Sequence, residues 1–163
     1  MRVKNRDVRV TAFNLAEFLP YKLAVVTESV ARVFTESYGT PFNLTIPEWR
    51  ALAVIAQYGT LSPTAVGQHT AMDKVKVSRA AQSLVAKGLL RQNQDPSDGR
   101  GRLLRLTRKG EATYARVVPL VVRMEAMLVD DLSRADLAAF NRVLTKITTR
   151  LETINGADPD GAG

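Results

Sequence analysis

Apolar residues recur at three- and four-residue spacing along most of this chain, and the pattern changes only around one Asp- and Gly-rich turn. The first pattern is that of helices with a buried face, the second that of a β-hairpin. Leu23, Val26, Val30, Val33, Phe34 and Tyr38 form one stripe. It predicts a long helix opening near Pro20, a residue tolerated in a first helical turn, and stopped by Gly39 and Pro41. Thr45 and Glu48 have the spacing of a capping box, and Trp49, Leu52, Ile55 and Ala56 form the buried side of the helix they open. Gly59 ends it. Ser62-Pro63 starts a short helix through about Thr70. Asp73 caps the next, which runs to Lys87 before Gly88 terminates it.

Residues 89–92 read as a strand, 95–99 as a turn and 102–106 as the returning strand. Two short helices joined by a tight turn form a helix-turn-helix signal, and a hairpin directly behind them is a wing. Thr107 then caps a long helix carrying Tyr114, Val117, Val118, Val121, Val122, Met124 and Leu128, with an expected kink at Pro119. Ser133 and Asp136 open the last helix, whose stripe is Leu137, Phe140, Val143, Leu144, Ile147, Leu151 and Ile154. A Gly/Asp/Ala-rich end, 156–163, is expected to be disordered. The expected fold class is mainly α with a small β-hairpin wing: a winged helix-turn-helix over about 45–106, flanked by helices at 10–40 and 107–154.

A length of 163 residues with 45% apolar content fits one domain with a real core. No run approaches the ~18 to 20 apolar residues of a membrane helix, and the charged first 20 residues carry no signal-peptide pattern. Cysteine is absent, so disulfides and thiol switches are excluded. A cytoplasmic protein without membrane contact is the expectation.

The net charge of +7 becomes informative once located. Between Lys74 and Lys109 stand ten Lys or Arg and two acids, a balance of +8; the rest of the chain carries thirteen bases and fourteen acids. That concentration is the footprint of a surface for polyanions.

At 100° per residue the helix after Asp73 splits into two faces. Val77, Ala80, Ala81, Leu84 and in part Val85 share the side that must be buried. Val75, Arg79, Gln82 and Ala86 lie opposite, flanked by Lys76, Ser78 and Ser83. Arg79 presents a fork suited to guanine and Gln82 an amide suited to adenine, while Val75 or Ala86 suits a thymine methyl. Lys74, Lys76 and Ser78 suit phosphates at the positive end of the helix. In the wing, Arg100, Arg102 and Arg105 stand around two glycines. Either Arg100 or Arg102 suits insertion into a minor groove, with Asp98 orienting a neighbouring arginine.

The stretch from Leu44 to Leu106 resembles the MarR family of bacterial regulators. The resembling residues are Leu44-Thr45-x-x-Glu48-Trp49, Met72-Asp73-Lys74-Val75-Lys76-Val77-Ser78-Arg79 and Leu84-Val85-x-Lys87-Gly88-Leu89-Leu90-Arg91. Asp95-Pro96-x-Asp98-x-Arg100 and Leu106-Thr107-x-Lys109-Gly110 follow. The order and spacing of the set are specific, although each piece is weak. Gly99 departs from the pattern, since the family commonly has a basic residue between the wing Asp and Arg.

The resemblance implies a homodimer whose terminal helices interlock, with two winged domains on successive major grooves of a palindromic operator. It also implies a repressor, or less often an activator, controlled by a small aromatic or phenolic ligand between the dimerisation helices and the DNA-binding domain. Tyr21, Trp49, Arg50 and Tyr114 are the candidate lining residues, with Arg50 pairing a carboxylate. Core packing competes for Trp49, dimer packing for Tyr21 and Tyr114, and a solvated or ion-paired role for Arg50.

His69 is the only histidine, which argues against a zinc sensor, and no Gly-rich phosphate loop, nucleophile elbow or metal motif appears. Neither enzyme activity nor a cofactor is expected. A winged-helix module for protein contacts, or a DNA-binding protein without a ligand, remains the alternative.

Overall fold

The computed structural model describes residues 13–96 and 101–156. The chain divides into two compact units, Met1–Val121 and Val122–Gly163. The first contains helix α1 (Leu19–Phe34), α2 (Ile46–Tyr58), α3 (Pro63–Thr70), α4 (Lys74–Ala86), the strands β1 (Leu90–Gln94) and β2 (Arg102–Leu106), and the start of α5 (Arg108–Leu128). The second holds the end of α5 and α6 (Arg134–Gly156).

Local chemistry sets most boundaries. Thr45 Oγ1 accepts from Glu48 N (3.4 Å) while the Glu48 carboxylate accepts from Thr45 N (2.7 Å), completing the expected capping box. Ser62 Oγ caps α3 through Ala65 N, and Asp73 Oδ1 caps α4 through Lys76 N. Thr107 Oγ1 receives Gly110 N, and Ser133 with Asp136 form the reciprocal start of α6. Helix α5 runs on through Pro119.

Three boundaries differ from the expectation by more than one residue. Gly39 and Pro41 do not stop the first helix. It passes through a π-turn at Thr35–Gly39 into one more helical turn, Thr40–Phe42. The wider turn just ahead of Pro41 accommodates the missing amide and the ring clash that a proline brings to a regular helix. Asn43, left-handed at φ 50°, makes the stop, with Leu44 N closing on Gly39 O at 2.9 Å. Strand β1 also reaches two residues beyond the expected 92, because Gln94 still pairs with Arg102. Helix α6 extends to Gly156, and the rest of the expected disordered end lies outside the described residues.

The first unit is built around Leu52, Ile55, Val66, Val77, Leu84, Leu104 and Val117, all essentially inaccessible. The antiparallel hairpin is tied to this core by Leu61, whose amide and carbonyl both bond Leu104 (3.1 and 2.8 Å). Outside the core, apolar faces stay uncovered in the single chain. On α1 and the turn before it these are Phe13, Leu19, Val26 and Val33, and in the second unit Met127, Phe140, Val143 and Leu151.

Candidate nucleic-acid interface

Helix α4 divides as its sequence predicts. Val77, Ala80, Ala81 and Leu84 are buried, whereas Lys74, Val75, Lys76, Ser78, Arg79, Gln82 and Ala86 are exposed. Val85, given in part to the buried side, is exposed. Gln82 Nε2 lies 3.4 Å from Ser78 Oγ, and Arg79 has no ion pair among the described residues. Lys76 Nζ sits 3.2 Å from Asp73 Oδ2. The Lys76 amide first, then its side chain, holds the Asp73 carboxyl below its ordinary pKa, so the cap stays charged at neutral pH. The exposed face thus combines a free guanidinium, an amide and small side chains, with cations at the first turn.

The far end of α4 is anchored by residues that the sequence did not single out for this role. Glu48 is 3% exposed, and Lys87 Nζ contacts both its oxygens at 2.7 and 2.8 Å. The same ammonium donates to Asn43 O, while Lys109 Nζ donates to Lys87 O at 2.8 Å. Thr107 Oγ1 donates to Gly88 O at 2.6 Å. Burial alone would raise the Glu48 pKa. Hydrogen bonds from Lys87, Ser83 and the Thr45 amide, with the Lys87 charge, outweigh it and hold the carboxyl below its ordinary value. Thr45 and Glu48 read from sequence only as a cap; nothing local signals a partner 39 residues away.

In the wing, register alternation separates residues that the sequence grouped. Arg102 pairs with Gln94 and Arg105 with Arg91, three positions apart along β2 and so on opposite faces of the hairpin. The Gln92 side-chain amide lies 3.3 and 3.1 Å from Nε and Nη1 of Arg102, two donors from which its oxygen is the group able to accept. Arg100 and Asp98 lie outside the described residues.

A second concavity lies between α1 and α2, with a volume of about 280 Å³ and a lining that includes Val30, Ala31, Phe34, Tyr38, Trp49 and Arg50. Phe34, Tyr38, Trp49 and Tyr114 form a chain of rings with centroids 5.9, 5.5 and 5.8 Å apart. Burial raises the Tyr38 pKa, and the nearby Arg50 charge partly opposes it, so Tyr38 enters the cleft as a neutral phenol. Of the four expected lining residues, Trp49 and Arg50 line this cleft. Tyr114 stacks behind Trp49 and opens on a different pocket with Arg105 and Glu111, and Tyr21 is 43% exposed and outside the lining. Phe34 and Tyr38 were legible only as a core stripe.

Residues 42–101 match the model of the MarR family. A curated relative, the HTH-type transcriptional repressor IacR of Pseudomonas putida, is 23% identical over 154 residues, spanning 92% of this chain and 89% of that protein. The structure of Bordetella bronchiseptica BpsR, described for regulation of DNA binding by 6-hydroxynicotinic acid, superposes with TM-score 0.78 at 24% identity, covering 83% of this chain and 96% of that one. A MarR mutant from E. coli complexed with operator DNA gives TM-score 0.76 at 25% identity, with coverages of 83% and 97%. The winged architecture, the capped and exposed α4 and these similarities agree: residues 42–101 match the MarR family, and the chain around them has the fold of its winged helix-turn-helix transcriptional regulators.

Proposed function

We propose that this regulator is a homodimeric repressor that reads a palindromic operator with α4 and the wing, and lets go when a small aromatic acid occupies the α1–α2 cleft. The observation that carries the reading is the outward face of α4, where Arg79 and Gln82 stand exposed above a buried apolar side. Arg79 takes guanine and Gln82 adenine, with Val75 or Ala86 on a thymine methyl. Lys74, Lys76 and Ser78 hold phosphates, and Arg100 or Arg102 works from the wing. The uncovered apolar faces of α1 and α6 support covering by a second copy, because monomeric proteins rarely expose contiguous apolar surface. That BpsR is controlled by an aromatic acid supports the ligand class.

Two measurements test this. Arg79→Ala is expected to cost about 1–3 kcal/mol at one operator position, while Lys74→Ala weakens all sequences alike and lowers the salt slope by about 1. Equal loss on every sequence from both variants would remove Arg79 as a base reader. In a thermal-shift screen of 6-hydroxynicotinic acid and other aromatic acids, at least one compound should stabilise the protein and weaken operator binding. Arg50→Ala should abolish both effects. A stabilising compound indifferent to Arg50 and to operator would sink the sensor half of the proposal.

A further inference from the structure

The basic excess between Lys74 and Lys109 does not all belong to the recognition helix. Arg91 and Arg105 face each other directly across the β1–β2 ladder. Like charges in that position repel and weaken a hairpin. Arg108 is the first residue of α5, at the positive end of a 21-residue helix, where a cation is again disfavoured. Three cations in unfavourable placements converge on one pocket of about 330 Å³, lined by Arg91, Arg105, Leu106, Thr107, Arg108 and Glu111. None of the three guanidinium groups is ion-paired among the described residues. Folding alone does not reward this arrangement; an anion would.

We propose that Arg91, Arg105 and Arg108 form a phosphate-binding site distinct from the groove-facing side of α4. Planar guanidinium forks suit the several acceptor oxygens of a phosphate, and a positive helix terminus adds to the attraction. The phosphate belongs either to the DNA backbone beside the operator or to a free phosphorylated small molecule, and both present the same chemistry to the arginines.

Arg105→Thr separates these sources and should fold well, since it removes a repulsive pair and places a good strand former in β2. Melting is followed as inorganic pyrophosphate is added, against sodium chloride at matched ionic strength. In parallel, the salt dependence of operator binding is measured on a site with flanking DNA. For a free ligand, pyrophosphate raises the wild-type melting temperature, whereas Arg105→Thr starts higher and no longer responds. For a backbone phosphate, the variant lowers the slope of log affinity against log salt by about 0.9, the value of one contact. Either result, or both together, supports the site. Arg79→Ala serves as the control and should keep the pyrophosphate response. If neither measurement distinguishes Arg105→Thr from wild type, or if the response disappears with Arg79→Ala, the proposal is overturned.

Discussion

Alanine at position 110 is expected to lower the melting temperature by roughly 4 to 8 °C, although it puts a better helix former into a helix. Gly110 sits in the first turn of α5 and is buried. A Cβ there would press into the carbonyl oxygen of Leu89, with the Leu89 carbonyl carbon at 3.0 Å and Leu106 Cδ2 at 3.1 Å. That carbonyl has no room to retreat, because it accepts from Thr107 N at 3.1 Å and Thr107 Oγ1 at 3.2 Å. Overpacking of this kind costs about 1–3 kcal/mol and more when backbone is the obstacle, against about 1 kcal/mol gained in propensity. The net loss is about 2 kcal/mol, or ~2–4 °C for each kcal/mol in a chain of this size. Calorimetry on the purified variant decides between two signs. Propensity alone predicts a rise, and a rise would show that α5 and the start of β1 do not pack as closely as described.

How far the sequence carried this fold depends on the range of the interaction concerned. Each cap that lies within three residues of its partner, at Thr45, Ser62, Asp73 and Ser133, was legible because donor and acceptor share one helical turn. The two faces of α4 were legible for the same reason. The end of the first helix was not, because Gly39 and Pro41 are stop signals only while the turn before them is a regular α turn. The bend between α3 and α4 carried no glycine signal either, since Ala71 takes the left-handed conformation at φ 52°. In the candidate site, the exposed residues of α4 followed from helical angle, whereas the cleft partners Phe34 and Tyr38 and the Arg91–Arg105 pair depended on packing and register. Helical period gives a residue its face but not the element opposite.

The ion pair of Glu48 and Lys87 is the longest-range of these hidden contacts, and Lys87→Met is expected to cost about 3–5 kcal/mol at neutral pH. The methionine fills similar space but leaves a carboxylate that is 3% exposed without its counter-ion. The loss should depend on pH in a definite direction. In the wild type the folded Glu48 pKa lies below its unfolded value, so its contribution is complete above the unfolded pKa and fades as pH falls through the folded one. Without Lys87, burial is opposed only by the Ser83 and Thr45 hydrogen bonds, and the folded pKa should move upward. Protonation then relieves the variant, and the gap to wild type narrows from neutral pH toward acid. Glu48→Leu combined with Lys87→Met should recover much of the loss, because an apolar pair replaces a stranded charge. Operator affinity should follow the same order. Lys87 ties the end of α4 to the helix that presents Trp49 and Arg50 to the cleft, so on the proposed function releasing it would free α4 from the element that lines the cleft. Urea unfolding at several pH values, for both single variants and the double, provides the cycle. A gap that is constant with pH, or a double variant no better than Lys87→Met, would show that the pair neither carries a buried charge nor fixes the helix.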